Sequence, residues 1–176
     1  MRNYLWMDLE MSGLDAGNCR ILEAAAVVAN DGFQILEEYH AVVRQPPEVL
    51  AAMDDWCTKT HGASGLTALV PAGKPEAQVE QELLALIGRH FKKEDAVVLA
   101  GNSIGQDRRF IDRWMPHLSS RLHYRMVDVS SFKEIFRSRY GVEVVKKRGH
   151  RAVDDIRESM AELQHYLSFV NLPQKP

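Results

Sequence analysis

The segment "LWMDLEMSGLD", residues 5–15, constrains this chain more than any other. It sets two carboxylates, Asp8 and Glu10, two positions apart inside an apolar run. In an extended strand, residues i and i+2 point to the same face. Both acids therefore face whatever packs on that side, and Trp6 and Met7 mark the strand as a central one. Two like charges held close together do not both stay ionised without a counter-charge. A divalent cation bound by hard oxygen ligands, Mg²⁺ or Mn²⁺ rather than zinc, is the economical neutraliser. The pair alone leaves open an edge strand bearing two solvated acids.

Two later segments bear on that choice. In "GNSIGQDRRFIDRWM", Phe110, Ile111, Trp114 and Met115 lie 3, 4, 7 and 8 residues beyond Asp107. This spacing puts Asp107 on the apolar side of its own helix, where a charge is costly unless it is paired or bound to metal. A first-turn acid favoured by the helix dipole is the other reading. In "GHRAVDDIRES", His150 precedes the last helix and Asp155 falls in its first turn. Asp155 can complete a carboxylate cluster. His150, on the preceding loop, can swing over that cluster and take a proton from water, because imidazole titrates near neutral pH. A loop histidine with no role is the alternative, and Asp154 reads as a solvated or capping acid. Four carboxylates and one histidine are the set that two-metal phosphoryl displacement needs, with cations ~3.5–4 Å apart.

Composition limits the partners. The chain has 176 residues, 45% of them apolar, which suits one globular domain. Its net charge of −2 lacks the basic excess of proteins that grip long nucleic acid through phosphates. A small anionic substrate held by local contacts or metal ions fits that balance. The one basic run, Lys146, Lys147 and Arg148, reads as a solvated loop or an aid to phosphate binding. Cys19 and Cys57, the only cysteines, have no metal-ligand spacing and are expected as reduced thiols. The N-terminus is too short and too acidic for a signal peptide, and no apolar run approaches the ~20 residues of a membrane span. A soluble, cytoplasmic protein without a membrane partner is expected.

Patterning gives the order βββ-α-β-α-β-α-α. Strands are predicted at 3–10, 20–29 and 33–43, with a turn at Asn30-Asp31-Gly32. A helix is predicted from Pro75 at its first position, with Val79, Leu83, Leu86 and Ile87 on one face. A strand at 96–100, a helix stopped by Pro116, the strand "RMVDVS" and a helix closed by Gly141 follow. The last helix starts near Ala152, with a stripe of Val153, Ile156, Met160, Leu163, Leu167 and Val170. Residues 44–74 read as a long loop holding two short helical pieces. This is an α/β domain with a mixed sheet, hairpin strands first and parallel strands later.

"DLEMSGLD", "GNSIGQDRRF" and "HRAVDDIRES", in this order and at these distances, resemble the three motifs of the DEDDh 3′–5′ exonucleases. Together with "DDWCTKTHGASGL" and "LHYRMVDVSS", they resemble the oligoribonuclease branch along nearly the whole chain. The resemblance implies an RNase H-like fold, a mixed five-stranded sheet flanked by helices, in one exonuclease domain at 1–172 with a short tail at 173–176. It implies a homodimer that cleaves short RNAs, especially diribonucleotides, to 5′-mononucleotides, using two Mg²⁺ or Mn²⁺ ions. Asp8, Glu10, Asp107 and Asp155 are then metal ligands, and His150 is the general base. Tyr124 matches a tyrosine that reaches into the neighbouring subunit's site. Leu14, Trp56 and His61 are positioned to touch bases, though packing roles remain open for them. Ser103 could donate to a phosphate, and Arg125, Ser130 and Ser131 match a polar group that caps the 5′ phosphate. The alternatives are a DEDDh exonuclease trimming longer DNA or structured RNA, and a non-catalytic nucleic-acid binding module.

Overall fold

The computed structural model describes residues 2–144 and 152–171. Strands β1 (Asn3–Met11), β2 (Ile21–Asn30), β3 (Ile35–Val42), β4 (Val97–Gly101) and β5 (Leu122–Asp128) form one sheet in the order β3-β2-β1-β4-β5. β1, β2 and β3 pair antiparallel, while β1 with β4 and β4 with β5 pair parallel. The predicted turn after β2 is built on Asn30, whose side-chain oxygen accepts from the N–H groups of Gly32 and Gln34, both at 3.0 Å. Such local capping is what suits Asn to turns.

Helices α1 (Pro47–Ala51), α2 (Asp55–Ala63), α3 (Leu66–Leu69) and α4 (Glu76–His90) link β3 to β4. α5 (Ile104–Trp114) and α6 (Pro116–Ser119) link β4 to β5, and α7 (Val129–Tyr140) and α8 (Ala152–Leu167) follow. All ten residues of β2 are buried, which is why its apolar run showed no alternation. β1 sorts its side chains by parity. Leu5, Met7 and Leu9 join a core with Leu83, Leu86 and Ile87 of α4 and Phe110 and Ile111 of α5. Trp6 joins the opposite core, with Val27 of β2, Phe136 of α7 and Ile156, Met160 and Tyr166 of α8. Asp8 and Glu10 share the parity of Trp6, so they face α8.

The structure differs from the sequence reading in a few places. Pro75 is the residue before α4 rather than its first residue. Pro116 does end α5, but it also opens α6, as a first-turn proline can. The region 44–74 holds α3 and a 3-10 turn (Val70–Ala72) beyond the two expected pieces. Of the stripe expected for α8, Leu167 is exposed and Val170 lies beyond the helix and is exposed, while Tyr166 takes the buried place. The helix stops at Leu167 and Phe169 folds back toward Phe136, 6.1 Å between ring centroids, which breaks the stripe. No helix among the described residues is long and apolar enough to cross a membrane.

One glycine fixes the spacing that the site depends on. A Cβ on Gly101, at the end of β4, would lie 2.7 Å from the Met7 carbonyl oxygen and 2.9 Å from Ile104 Cδ1. Only glycine lets β4 approach β1 this closely before the chain turns into α5.

Candidate active site

Parallel pairing brings the C-terminal ends of β1, β4 and β5 to one edge of the sheet. In open α/β sheets this edge is where ligands bind. β1 delivers Asp8 and Glu10 there, α5 begins there with Asp107 in its first turn, and α8 crosses β1 with Asp155 in its first turn. One carboxylate oxygen each from Asp8, Glu10 and Asp155 lie within 4.8 Å of one another. Asp107 is 6% exposed and its Oδ1 accepts the Leu9 N–H at 2.9 Å, which fastens α5 to the strand between the two acids.

Electrostatics show what this packing costs. Burial, then the charges of Asp107, Glu10, Asp155 and Glu23, push Asp8 up to about 9. Burial, then Glu23 and Asp155, raise Glu10 to about 7. Burial raises Asp107 to about 7 against the opposing hydrogen bonds from backbone N–H groups. Among the described residues, no lysine or arginine offsets these charges. A half-buried cluster of hard oxygen donors fits a divalent cation.

Glu23 escaped the sequence reading. It lies directly opposite Glu10 in the β1–β2 register and is 6% exposed. His40 Nε2 sits 2.5 Å from its Oε1. The available signal was a single acid in "RILEAAAVVA", but only the register reveals that it faces Glu10.

Beside the cluster, a cavity of about 380 Å³ is lined by Glu10, Leu14, Trp56, Cys57 and His61 among others. Leu14 and Trp56 are 76% and 68% exposed, large apolar groups left facing solvent. Gln106 Nε2 donates to the Leu14 carbonyl at 2.5 Å and ties that loop to α5. His61 differs from them. It is 2% exposed, its Nε2 donates to the Met11 carbonyl at 2.9 Å, and its Nδ1 lies 3.9 Å from Glu10 Oε2. It lines the cavity floor as a fixed ring. α2, which carries Trp56 and His61, is capped by Asp54, whose Oδ1 accepts the Cys57 N–H at 2.7 Å.

A second polar group forms where β4 and β5 end. The Ser103 N–H donates to Asp128 Oδ1 (3.0 Å) and to Ser130 Oγ (2.9 Å). Ser131 is exposed in the first turn of α7, and Arg125 is exposed on β5. Tyr124, 73% exposed, stands on the same edge strand, stacked on His123 at 4.5 Å. His150, Lys146, Lys147 and Arg148 lie outside the described residues.

This edge, with its carboxylates drawn from β1, α5 and α8 over a mixed five-stranded sheet, defines a metal-dependent exonuclease of RNase H-like fold. The exonuclease family model matches residues 5–163. The chain is 46% identical to an oligoribonuclease of Marinobacter nauticus, over 92% of each protein. It is 47% identical to one from Alkalilimnicola ehrlichii, over 97% of this chain and 91% of that protein. Among solved structures, Escherichia coli exonuclease I in complex with a 5cy-dT13 oligonucleotide superposes with a TM-score of 0.74 at 12% identity. A moderately thermophilic exonuclease I from Methylocaldum szegediense gives 0.69 at 17%. The match covers 95% of this chain but only 41% of the E. coli protein, so it speaks to the fold. The chain belongs to the exonuclease family and, within it, to the oligoribonucleases.

Proposed function

We propose that this chain is a 3′–5′ exoribonuclease that hydrolyses short oligoribonucleotides, diribonucleotides above all, to 5′-mononucleotides. The observation that carries this reading is the convergence of Asp8, Glu10 and Asp155 within 4.8 Å, with Asp107 buried beside them. Those four residues would hold two divalent ions, Mg²⁺ or Mn²⁺. When bound, such ions lower the pKa of an attacking water and stabilise the leaving oxygen of an in-line displacement. Asp107 is anchored through the Leu9 N–H, and its charge bears on Asp8. His150 would accept the proton from the nucleophilic water. This role rests on the sequence spacing to Asp155.

The substrate would lie between the two ends of the edge. Leu14 and Trp56 give the cavity exposed apolar surface suited to a base, and His61 forms its floor. Ser103, Arg125, Ser130 and Ser131 would close on the 5′-terminal phosphate. A closed end and a net charge of −2 both suit a substrate of a few nucleotides rather than a long strand. Tyr124 stands on the outer strand, where it can reach a second copy, so a homodimer would complete the site. A single domain over 1–172, acting in the cytoplasm, is consistent with this reading.

The test compares a diribonucleotide with a ~20-mer under Mg²⁺ and under Mn²⁺, with product analysis. Faster turnover of the diribonucleotide to 5′-mononucleotides is the expected result. Preferential degradation of the 20-mer would sink the substrate assignment.

A further inference from the structure

Behind the serines at the end of β4 and β5 runs a polar chain that is buried at its α8 end. Glu162 of α8 is 1% exposed. One of its oxygens accepts the Tyr166 hydroxyl at 2.9 Å, and the other accepts Asn102 Nδ2 at 3.1 Å. Asn102 Nδ2 also donates to Ser159 Oγ at 2.8 Å, and the Ser159 hydroxyl donates to the Asp155 carbonyl at 2.8 Å. On its other side, Asn102 Oδ1 accepts the Ser130 hydroxyl at 3.1 Å. Ser130 Oγ in turn accepts the Ser103 N–H at 2.9 Å and lies 3.0 Å from Ser103 Oγ.

The donor inventory gives this chain a direction. An amide has a donor end and an acceptor end, and a hydroxyl has one hydrogen. Glu162 and Ser159 both present acceptors, so the NH₂ of Asn102 must face them and its oxygen must face Ser130. The single hydrogen of Ser130 is thereby committed to Asn102. Ser130 can then only accept, so at rest the Ser103 hydroxyl donates to it. Because the Ser103 N–H also bonds Ser130, that hydroxyl hydrogen can turn outward to a phosphate without releasing Ser103. Ser103 also holds φ of 50°, a left-handed backbone that non-glycine residues seldom adopt. Its N–H, shared between Asp128 and Ser130, maintains that conformation.

We propose that Glu162 and Asn102 set the polarity of the terminal-phosphate clamp, leaving the Ser103 hydroxyl as its donor and Ser130 as the acceptor that holds Ser103 in place. The proposal rests on the reading that these serines meet the 5′-terminal phosphate. In this role Asn102 is a positioning residue: it acts through Ser130, and through Ser159 it also braces the turn of α8 that bears Asp155.

The test measures kcat and KM for a 5′-phosphorylated diribonucleotide and its 5′-hydroxyl counterpart. Ser103→Gly, which keeps the left-handed backbone but removes the hydroxyl, should cut the preference for the phosphorylated substrate about tenfold, mainly through KM. Asn102→Leu should produce a similar loss, and the double variant should lose no more than either single one. Equal losses on both substrates in Asn102→Leu, or additive losses in the double variant, would overturn the proposal. If Asn102→Leu does not fold, Ser130→Ala decides the matter. Its loss should be of the same size and non-additive with Ser103→Gly, and an independent, additive loss refutes the proposed roles. Should Ser103→Gly, Ser130→Ala and Arg125→Ala all leave the phosphate preference unchanged, the clamp reading itself fails. A normal response to Ser103→Gly with none to a folded Asn102→Leu fails only the polarity proposal.

Discussion

Asp107 shows how much one side chain can be asked to do. It sits in the first turn of α5, where the dipole welcomes an acid, yet it is buried and bonded to the Leu9 N–H. The helix periodicity had already placed it on the apolar side. Its partner, a backbone group 98 positions away, is visible only in the fold. Asp107→Ala should abolish turnover by two orders of magnitude or more, even with Mn²⁺ in the buffer, because a metal-site carboxylate and its anchor are lost together. Steady-state kinetics check this, and unchanged turnover would refute the assignment. The raised carboxylates also set a pH dependence for the metal-free protein. Asp8, at about 9, and Glu10 and Asp107, at about 7, hold protons in the folded chain that an unfolded chain releases near its ordinary carboxylate values. The folded state therefore binds more protons across this window. Stability should fall as pH rises from about 4 to about 9. Thermal melts in EDTA should show the decline, and added Mn²⁺ should raise the melting temperature most at the alkaline end. A flat EDTA profile would contradict the clustering.

Among the elements, β1 and β4 matter most, since their separation fixes where α5 starts. Gly101→Ala would drive a methyl group to 2.7 Å from the Met7 carbonyl. Backbone cannot yield there without shifting the strand that bears Asp8. A loss of roughly 2–4 kcal/mol is expected from denaturant unfolding, in the range of an overpacked core. α2 makes a milder case. Asp54→Ala removes the hydrogen bond to the Cys57 N–H and should cost about 1 kcal/mol. Because α2 carries Trp56 and His61, the KM for a diribonucleotide should rise while the fold survives. The strands and long helices were legible from periodicity. The pieces between residues 44 and 74 were less so, because α3 and the 3-10 turn are too short to show a period. The α8 stripe failed at its end for a tertiary reason, as Phe169 turns back onto Phe136.

For the whole molecule, the proposed homodimer makes a prediction that no single chain can satisfy. If Tyr124 completes the partner's site, Tyr124→Ala should impair every site of its own dimer. Mixing it with Asp107→Ala should restore activity in hybrid dimers, since one site there has its own Asp107 and a partner's Tyr124. Random exchange predicts recovery of about a quarter of the sites. Activity no greater than the sum of the separate variants would exclude a shared site.

The three motifs in order, the apolar strand around Asp8 and Glu10, and the core-facing position of Asp107 were fixed by local chemistry. Periodicity and charge in an apolar setting are properties that a sequence carries directly. The folded chain alone decided that Glu23 faces Glu10 and that His61 is pinned beneath the cavity. It alone decided that Glu162 reaches the Ser103–Ser130 pair through Asn102. Each of these joins residues distant in the chain through strand register or helix packing, and one residue's slip would turn the side chains to the other face.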